Sequence, residues 1–62
     1  MSLYTMGELS QCAEREVKMR RLVYSRRVEN GQMTQKLADR EIEMMEHIAS
    51  VLRELAQKEL LL

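Results

Sequence analysis

The sequence has no proline, tryptophan or phenylalanine, and its 62 residues include one cysteine and two glycines. A single cysteine excludes an intrachain disulfide, and it fits a reducing compartment. No apolar run approaches the ~18 residues that a transmembrane helix needs, and the N-terminus lacks the charged and apolar regions of a signal peptide. We therefore expect no contact with a membrane and a location in the cytoplasm.

Ligands for a metal are also scarce. The single histidine, His47, has Glu43 four residues before it, but two ligands do not make a site, so we expect no metal and no cofactor. Chains this small usually need disulfides, metals or oligomerisation to be stable. With the first two routes closed, the sequence predicts association with another chain, most simply as a homodimer.

A short break divides the chain into two segments with helical periodicity. Gly31 tolerates the left-handed conformation that ends many helices, and Thr34 can accept a hydrogen bond from the free N–H groups that open the next helix. Thr5 and Glu8 have the spacing of a capping box. We expect one helix over about residues 6–30, a turn at 31–34, and a second helix over about 35–59, all within a single domain.

The second segment has an apolar arc that covers nearly half of the helix. A contact between two helices uses a narrower strip, so the surplus indicates a bundle in which this helix touches at least two others. The sequence therefore predicts an all-α antiparallel hairpin that dimerises into a four-helix bundle. We expect the oligomer interface to use the central members of the arc: Leu37, Met44, Met45, Ile48, Leu52 and Leu55.

Charges interrupt the apolar face of the first segment, where Glu16, Arg20 and Arg27 form a polar seam. Glu16 and Arg20 are four residues apart, which favours an ion pair along one helix. Either the arginines extend along the seam to reach acidic partners or water, or the seam is a polar layer that fixes register and partner choice. A direct role in a ligand site is a third possibility.

Residues 15–27 carry six positive charges and one negative charge. Such a stretch is typical of a helix that binds nucleic acid, for which the candidate contacts are Arg20, Arg21, Arg26 and Arg27. In an antiparallel hairpin, however, this stretch lies against residues 37–49, which contain Asp39, Glu41, Glu43 and Glu46. The charges of the two halves, +2 for residues 1–31 and −2 for 32–62, are complementary, so neutralisation within the assembly is the competing interpretation.

The sequence contains no recognisable arrangement of catalytic residues. Cys12 has no histidine and acid arranged for nucleophilic catalysis, and its apolar neighbours predict a place in the core. No glycine-rich phosphate loop is present, and six methionines indicate adaptable packing, with Met19, Met44 and Met45 expected on the bundle side. We expect no catalytic residues and no enzymatic activity.

Four short segments of the sequence resemble a group of small proteins encoded by bacteriophages and prophages. They are Arg20-Arg21-Leu-Val-Tyr24-Ser-Arg26-Arg-Val28, Gly31-Gln-Met33-Thr34, Ala38-Asp39-Arg40-Glu41-Ile42 and Met45-Glu46. The resemblance covers about residues 14–55 and is most specific over 31–46. Leu22 and Ser25 depart from the group, where a basic residue and proline are usual. The resemblance implies a phage or prophage origin and the cytoplasm of a bacterial host, and it supplies no catalytic residues.

The sequence thus predicts a small helical interaction protein of phage or prophage type that binds and modulates a host or phage protein. The alternative is an accessory protein that binds nucleic acid through the basic stretch of its first helix.

Overall fold

The computed structural model describes residues 3–61. Helix α1 spans Met6–Glu29 and helix α2 spans Gln35–Leu61, and the two pack antiparallel as a hairpin. Its principal extents are 47 × 17 × 16 Å. The all-α helical hairpin expected from the sequence is confirmed. Helix α1 ends one residue before the expected position, and α2 continues two residues beyond it.

Helix α1 begins with the expected capping box. The Thr5 hydroxyl oxygen accepts a hydrogen bond from the N–H of Glu8 at 3.1 Å, and the Glu8 carboxylate accepts one from the N–H of Thr5 at 3.1 Å. Each side chain thus satisfies a backbone donor that the first turn of a helix leaves free. Glu8 also places a negative charge at the positive end of the helix dipole.

The turn ends α1 with a Schellman motif. Gly31 has φ of 74°, and its N–H donates to the carbonyl oxygen of Val28 at 3.1 Å, while the N–H of Gln32 donates to that of Arg27 at 2.8 Å. Helix α2 then begins after Thr34, whose hydroxyl oxygen accepts from the N–H of Leu37 at 3.1 Å. The left-handed glycine and the threonine cap are confirmed, and together they reverse the chain direction within five residues.

The core between the helices is narrow and built largely from small side chains. It consists of Ala13 and Val17 of α1 with Met45 and Ala49 of α2, and Leu52 packs against this cluster. Ala38 and Ser10 are also buried. Small side chains allow the two helix backbones to approach closely, but they bury little apolar area. Consequently, most of the large apolar side chains of the described residues lie outside this core.

Within residues 3–61, neither helix combines the length and the apolarity that crossing a membrane requires.

Candidate interaction surface

Five large apolar side chains lie in one line on the exposed surface of α2, and we call this line the apolar stripe. Their exposed fractions range from 42% at Leu55 to 49% at Ile48. Successive members are seven, four, three and four residues apart, a spacing that keeps all five on one side of a helix. The members of the apolar stripe are Leu37, Met44, Ile48, Val51 and Leu55.

The residues that the sequence predicted for the oligomer interface are divided between the core and the apolar stripe. Leu37, Met44, Ile48 and Leu55 are exposed, whereas Met45 is 9% exposed and belongs to the core with Leu52 beside it. Helix α1 of the same chain already covers these last two residues. Sequence periodicity could not separate the two sets, because it gives the width of an apolar arc but not the direction from which each neighbour approaches.

The opposite side of the hairpin is closed by ion pairs, and we call it the ion-paired face. Successive residues of a helix are about 100° apart, so Met44 and Glu46 flank the buried Met45 on opposite sides. Glu46 pairs with Arg21 at 2.8 Å, and the Glu14 carboxylate accepts a hydrogen bond from Nε of Arg53 at 3.1 Å. The hairpin therefore has one charged face and one largely apolar face.

A shallow groove of about 440 Å³ runs along the ion-paired face, over Val17 and Ala49. Its rim includes both ion pairs, Glu14 with Arg53 and Arg21 with Glu46. Four of the five charged side chains that line this groove are paired with each other, and the fifth, Lys18, forms no ion pair among the residues that the structure describes.

Arg20 is the central residue of the polar seam. Its Nε donates to the Glu16 carboxylate at 3.0 Å, and its Nη1 donates to the backbone carbonyl oxygen of Glu41 at 3.1 Å. The hydrogen bond to Glu16 raises the pKa of Arg20 above its ordinary value, so the side chain stays charged. The ion pair predicted at this spacing is confirmed. Arg20 thereby fastens α1 to α2 at the edge of the apolar face.

Arg27, the third member of the polar seam, lies one turn of α1 away from Val23 and next to the ring of Tyr24. Its guanidinium carbon is 5.7 Å from the centre of that ring, which is within range for a cation–π contact. A groove of about 280 Å³ is lined by Val23, Tyr24 and the polar seam. Arg20 contacts Glu41, which lies between Leu37 and Met44 along α2, whereas Arg21 reaches Glu46 on the ion-paired face. The polar seam therefore lies along the same side of the hairpin as the apolar stripe.

The basic stretch lies against residues 37–49, as the hairpin predicted. Of the four proposed contacts to nucleic acid, Arg20 and Arg21 have acidic partners on α2, namely Glu41 and Glu46. Arg26 and Arg27 form no ion pair among the residues that the structure describes. Neutralisation is therefore partial, because it reaches Arg20 and Arg21 but not Arg26 and Arg27.

One expectation about α1 was wrong, because Cys12, which was expected in the core, is exposed. Met19, which was expected on the bundle side, is 55% exposed and lines the groove of the polar seam, where only a second hairpin could cover it. The narrow core explains the position of Cys12, because the buried residues of α1 form the line Ser10, Ala13 and Val17. Residues that are two positions from this line therefore point away from the hairpin.

Sequence reasoning missed two contacts near the open end of the hairpin. One is the pair Glu14–Arg53, and the other is a hydrogen bond at 3.2 Å from the N–H of Met6 to the Glu59 carboxylate. Both could have been found by applying the antiparallel register to the charged residues beyond the basic stretch. The Glu59 contact also satisfies a free donor in the first turn of α1.

Chemistry of other kinds finds little support in the described residues. Among residues 3–61, no three histidine, cysteine or acidic side chains come together as a potential metal site. His47, the histidine weighed as a ligand, is exposed. Comparisons with protein-family models, with curated proteins and with solved structures find no match for this chain. The apolar stripe and the charges beside it are therefore the features of this chain that point to a function.

Proposed function

We propose that this chain is a protein-interaction module that uses its apolar stripe to bind a helix of another polypeptide. The single observation that carries the proposal is the exposure of five large apolar side chains in one line on a stable helix. Exposed apolar patches of this kind commonly mark a contact surface, whereas scattered apolar residues do not. A binding role fits this surface better than catalysis, because the grooves found among residues 3–61 are shallow and open.

The working form in this proposal is a homodimer arranged as a four-helix bundle. Helix α2 carries two apolar seams, one along Met45 and Ala49, covered by α1, and one along Met44 and Ile48, which is exposed. Helices of four-helix bundles have two such neighbours each. The small core inside one hairpin also favours assembly, because it buries little of the apolar surface that α2 carries.

The biological setting of the proposal comes from the resemblance to small phage and prophage proteins. We place the chain in the cytoplasm of a bacterial host, where it binds and modulates a host or phage protein. The most specific part of the resemblance, residues 31–46, includes the turn, the start of α2 and the beginning of the apolar stripe.

Affinity capture with matched baits tests this function. The baits are the native chain, an Ile48→Ser variant of the apolar stripe, and a Ser50→Ala control on the ion-paired face, each checked for helicity by circular dichroism. We expect a bacterial protein to be retained by the native chain and the control, and to be lost from the Ile48→Ser bait, in which the dimer that buries the apolar stripe is weakened. A retained protein that ignores the Ile48 change would show that binding depends on neither the apolar stripe nor the dimer, and it would contradict the proposal.

The alternative function, binding of nucleic acid, keeps one favourable observation: Arg26 and Arg27 form no ion pair among the described residues. A salt titration separates it from the main proposal. We expect no retention of single- or double-stranded nucleic acid at ~0.15 M salt beyond the nonspecific Kd of about 10⁻⁴ to 10⁻⁶ M. Tighter binding that weakens steeply with salt, and that is lost in an Arg26→Ala, Arg27→Ala variant, would establish the alternative.

A further inference from the structure

The apolar stripe has the residue spacing of a coiled-coil seam. Together with Glu41, its members alternate between steps of four and three residues along α2, which is the heptad pattern of positions that face a neighbouring helix. Glu41 is the one charged residue among these positions, and its carboxylate lies 3.9 Å from the guanidinium of Arg20 of its own chain. The heptad spacing of the apolar stripe therefore fits a helix that packs lengthwise along α2.

We propose that this helix is α2 of a second copy of the chain, running antiparallel, with a two-fold axis at the level of Glu46. This inference rests on the proposed function, and it goes further by fixing the partner, its direction and its register. The apolar side chains decide the register. Centring on Glu46 places Leu37 opposite Leu55 of the second copy, and Met44 opposite its Ile48. Four of the five members of the apolar stripe then meet an apolar side chain, and the fifth, Val51, lies opposite Glu41, whose carboxylate pairs with Arg20 of its own chain.

Charges beside the apolar stripe independently support this register. Arg40 and Glu54 are exposed, and neither forms an ion pair among the residues that the structure describes. They occupy corresponding flanking positions of the heptad pattern, one on each side of the axis. In the proposed register, Arg40 of each chain faces Glu54 of the other, so two equivalent ion pairs flank the interface.

The polar seam of α1 gives a second, separate match. The contacts of Arg20 with Glu41 and of Arg21 with Glu46 place these arginines of α1 near the level of the axis. The same two-fold axis then brings Glu16 of one chain opposite Arg20 of the other. The charges of Glu16 and Arg20 are thereby opposite in sign across the interface, and Arg20 faces a third carboxylate in addition to Glu16 and Glu41 of its own chain.

Other arrangements of two copies lose these matches. With the α2 helices parallel, Glu41 faces Glu41, and on α1 Arg20 faces Arg20, so like charges meet inside the interface. If the apolar stripe packs instead on α1 of the second copy, Met44 and Ile48 lie against Arg20 and Glu16. Apolar side chains would then cover charges, which is costly without compensating partners. Charge complementarity thus selects the antiparallel pairing of α2 with α2.

Distances between spin labels test the direction and register. In a Cys12→Ser background, a single label is placed at an exposed position by Lys36→Cys, His47→Cys or Lys58→Cys. We expect the shortest distance between labels at position 47. It should be about the 8–10 Å that separates the axes of packed helices, plus the length of the label side chains. Labels at 36 and 58 lie ten or more residues from the axis, which separates them by roughly 30 Å or more.

Equal distances at all three positions in a dimer would overturn the antiparallel register and leave the proposed function standing. A chain that sediments as a monomer, with no dipolar coupling at any position, would overturn both. These two failures are therefore distinguishable in one set of samples.

A charge exchange tests the flanking pairs without altering the apolar stripe. We expect Arg40→Glu to weaken the dimer on the order of tenfold, because both ion pairs become repulsive, and the double variant with Glu54→Arg to restore native affinity. The control Lys18→Glu, an equal change of charge on the side of the hairpin away from the apolar stripe, should leave affinity unchanged. Absence of rescue by Glu54→Arg would overturn the proposed pairing.

Discussion

Arg20 donates a hydrogen bond across the hairpin to the backbone carbonyl oxygen of Glu41, with 3.1 Å between Nη1 and the oxygen. A helix carbonyl is already bonded within its own helix, so this contact adds a second donor to it. The arginine thereby holds α1 at a fixed position along α2, beside the narrow core that contains Val17 and Met45. The interhelical register depends on this charged residue as well as on apolar packing.

Arg20 should therefore contribute more to stability than Arg21, although both pair with acidic residues. The Arg21–Glu46 pair is exposed at both ends and should be worth about 0.2–1 kcal/mol. Arg20→Met removes a less exposed group with partners on both helices, and we expect a loss larger than that of Arg21→Met. Urea denaturation at a fixed protein concentration measures the two losses. Equal losses would show that the contact with Glu41 adds nothing.

Gly31 should tolerate no side chain, for a conformational reason. An added Cβ there meets nothing within 4 Å, so only the φ of 74° opposes it. We expect Gly31→Ala to cost about 1–2 kcal/mol. Gly7→Ala is the control, because Gly7 lies in the first turn of α1 and an added Cβ there makes an ordinary contact with Thr5. The melting temperature of this variant should stay the same or rise. A higher melting temperature for Gly31→Ala would indicate a continuous helix.

The hydroxyl of Thr34 should stabilise the start of α2. Because its oxygen accepts a hydrogen bond from the N–H of Leu37, we expect Thr34→Ala to cost about 0.5–2 kcal/mol. Thr34→Ser keeps the oxygen and should recover most of that loss. Thermal melts followed by circular dichroism compare the variants, and an equal loss for serine and alanine would point to the lost methyl group instead.

Replacing a small side chain of the core with a larger one should lower the free energy of unfolding. Ala38 is 2% exposed, so Ala38→Leu has no space at the present helix separation, and we expect a loss of about 1–3 kcal/mol. Gln57→Leu is a control at an exposed position of the same helix, and it should have little effect on the free energy of unfolding. Denaturant titration measures both. A stable Ala38→Leu variant would mean that the helices are free to move apart.

Local signals in the sequence were sufficient to predict the hairpin. Thr5 with Glu8, Gly31 and Thr34 each specify a backbone hydrogen bond or conformation that depends only on near neighbours, and all three features are confirmed. The helix ends differ from expectation by one or two residues. The antiparallel register followed from the position of the turn, and it correctly placed residues 15–27 against 37–49.

Sequence alone could not divide the apolar residues between the two seams. Met45 and Ile48 lie on the same broad arc, yet one is buried by α1 and the other is exposed. Which residue is covered depends on the line along which the helices approach, and small side chains such as Ser10 and Ala13 set that line. Cys12 was misplaced for the same reason, because its apolar neighbours indicated burial but it lies off the line along which α1 is buried.

The mass of the native chain in solution tests the central claim most directly, namely that the apolar stripe is an interface. Sedimentation equilibrium at micromolar concentration should give twice the 7.3 kDa of one chain, and Ile48→Asp should both dissociate and unfold the assembly, because it buries an unpaired charge. A monodisperse species of 7.3 kDa that stays fully helical on dilution would contradict the account.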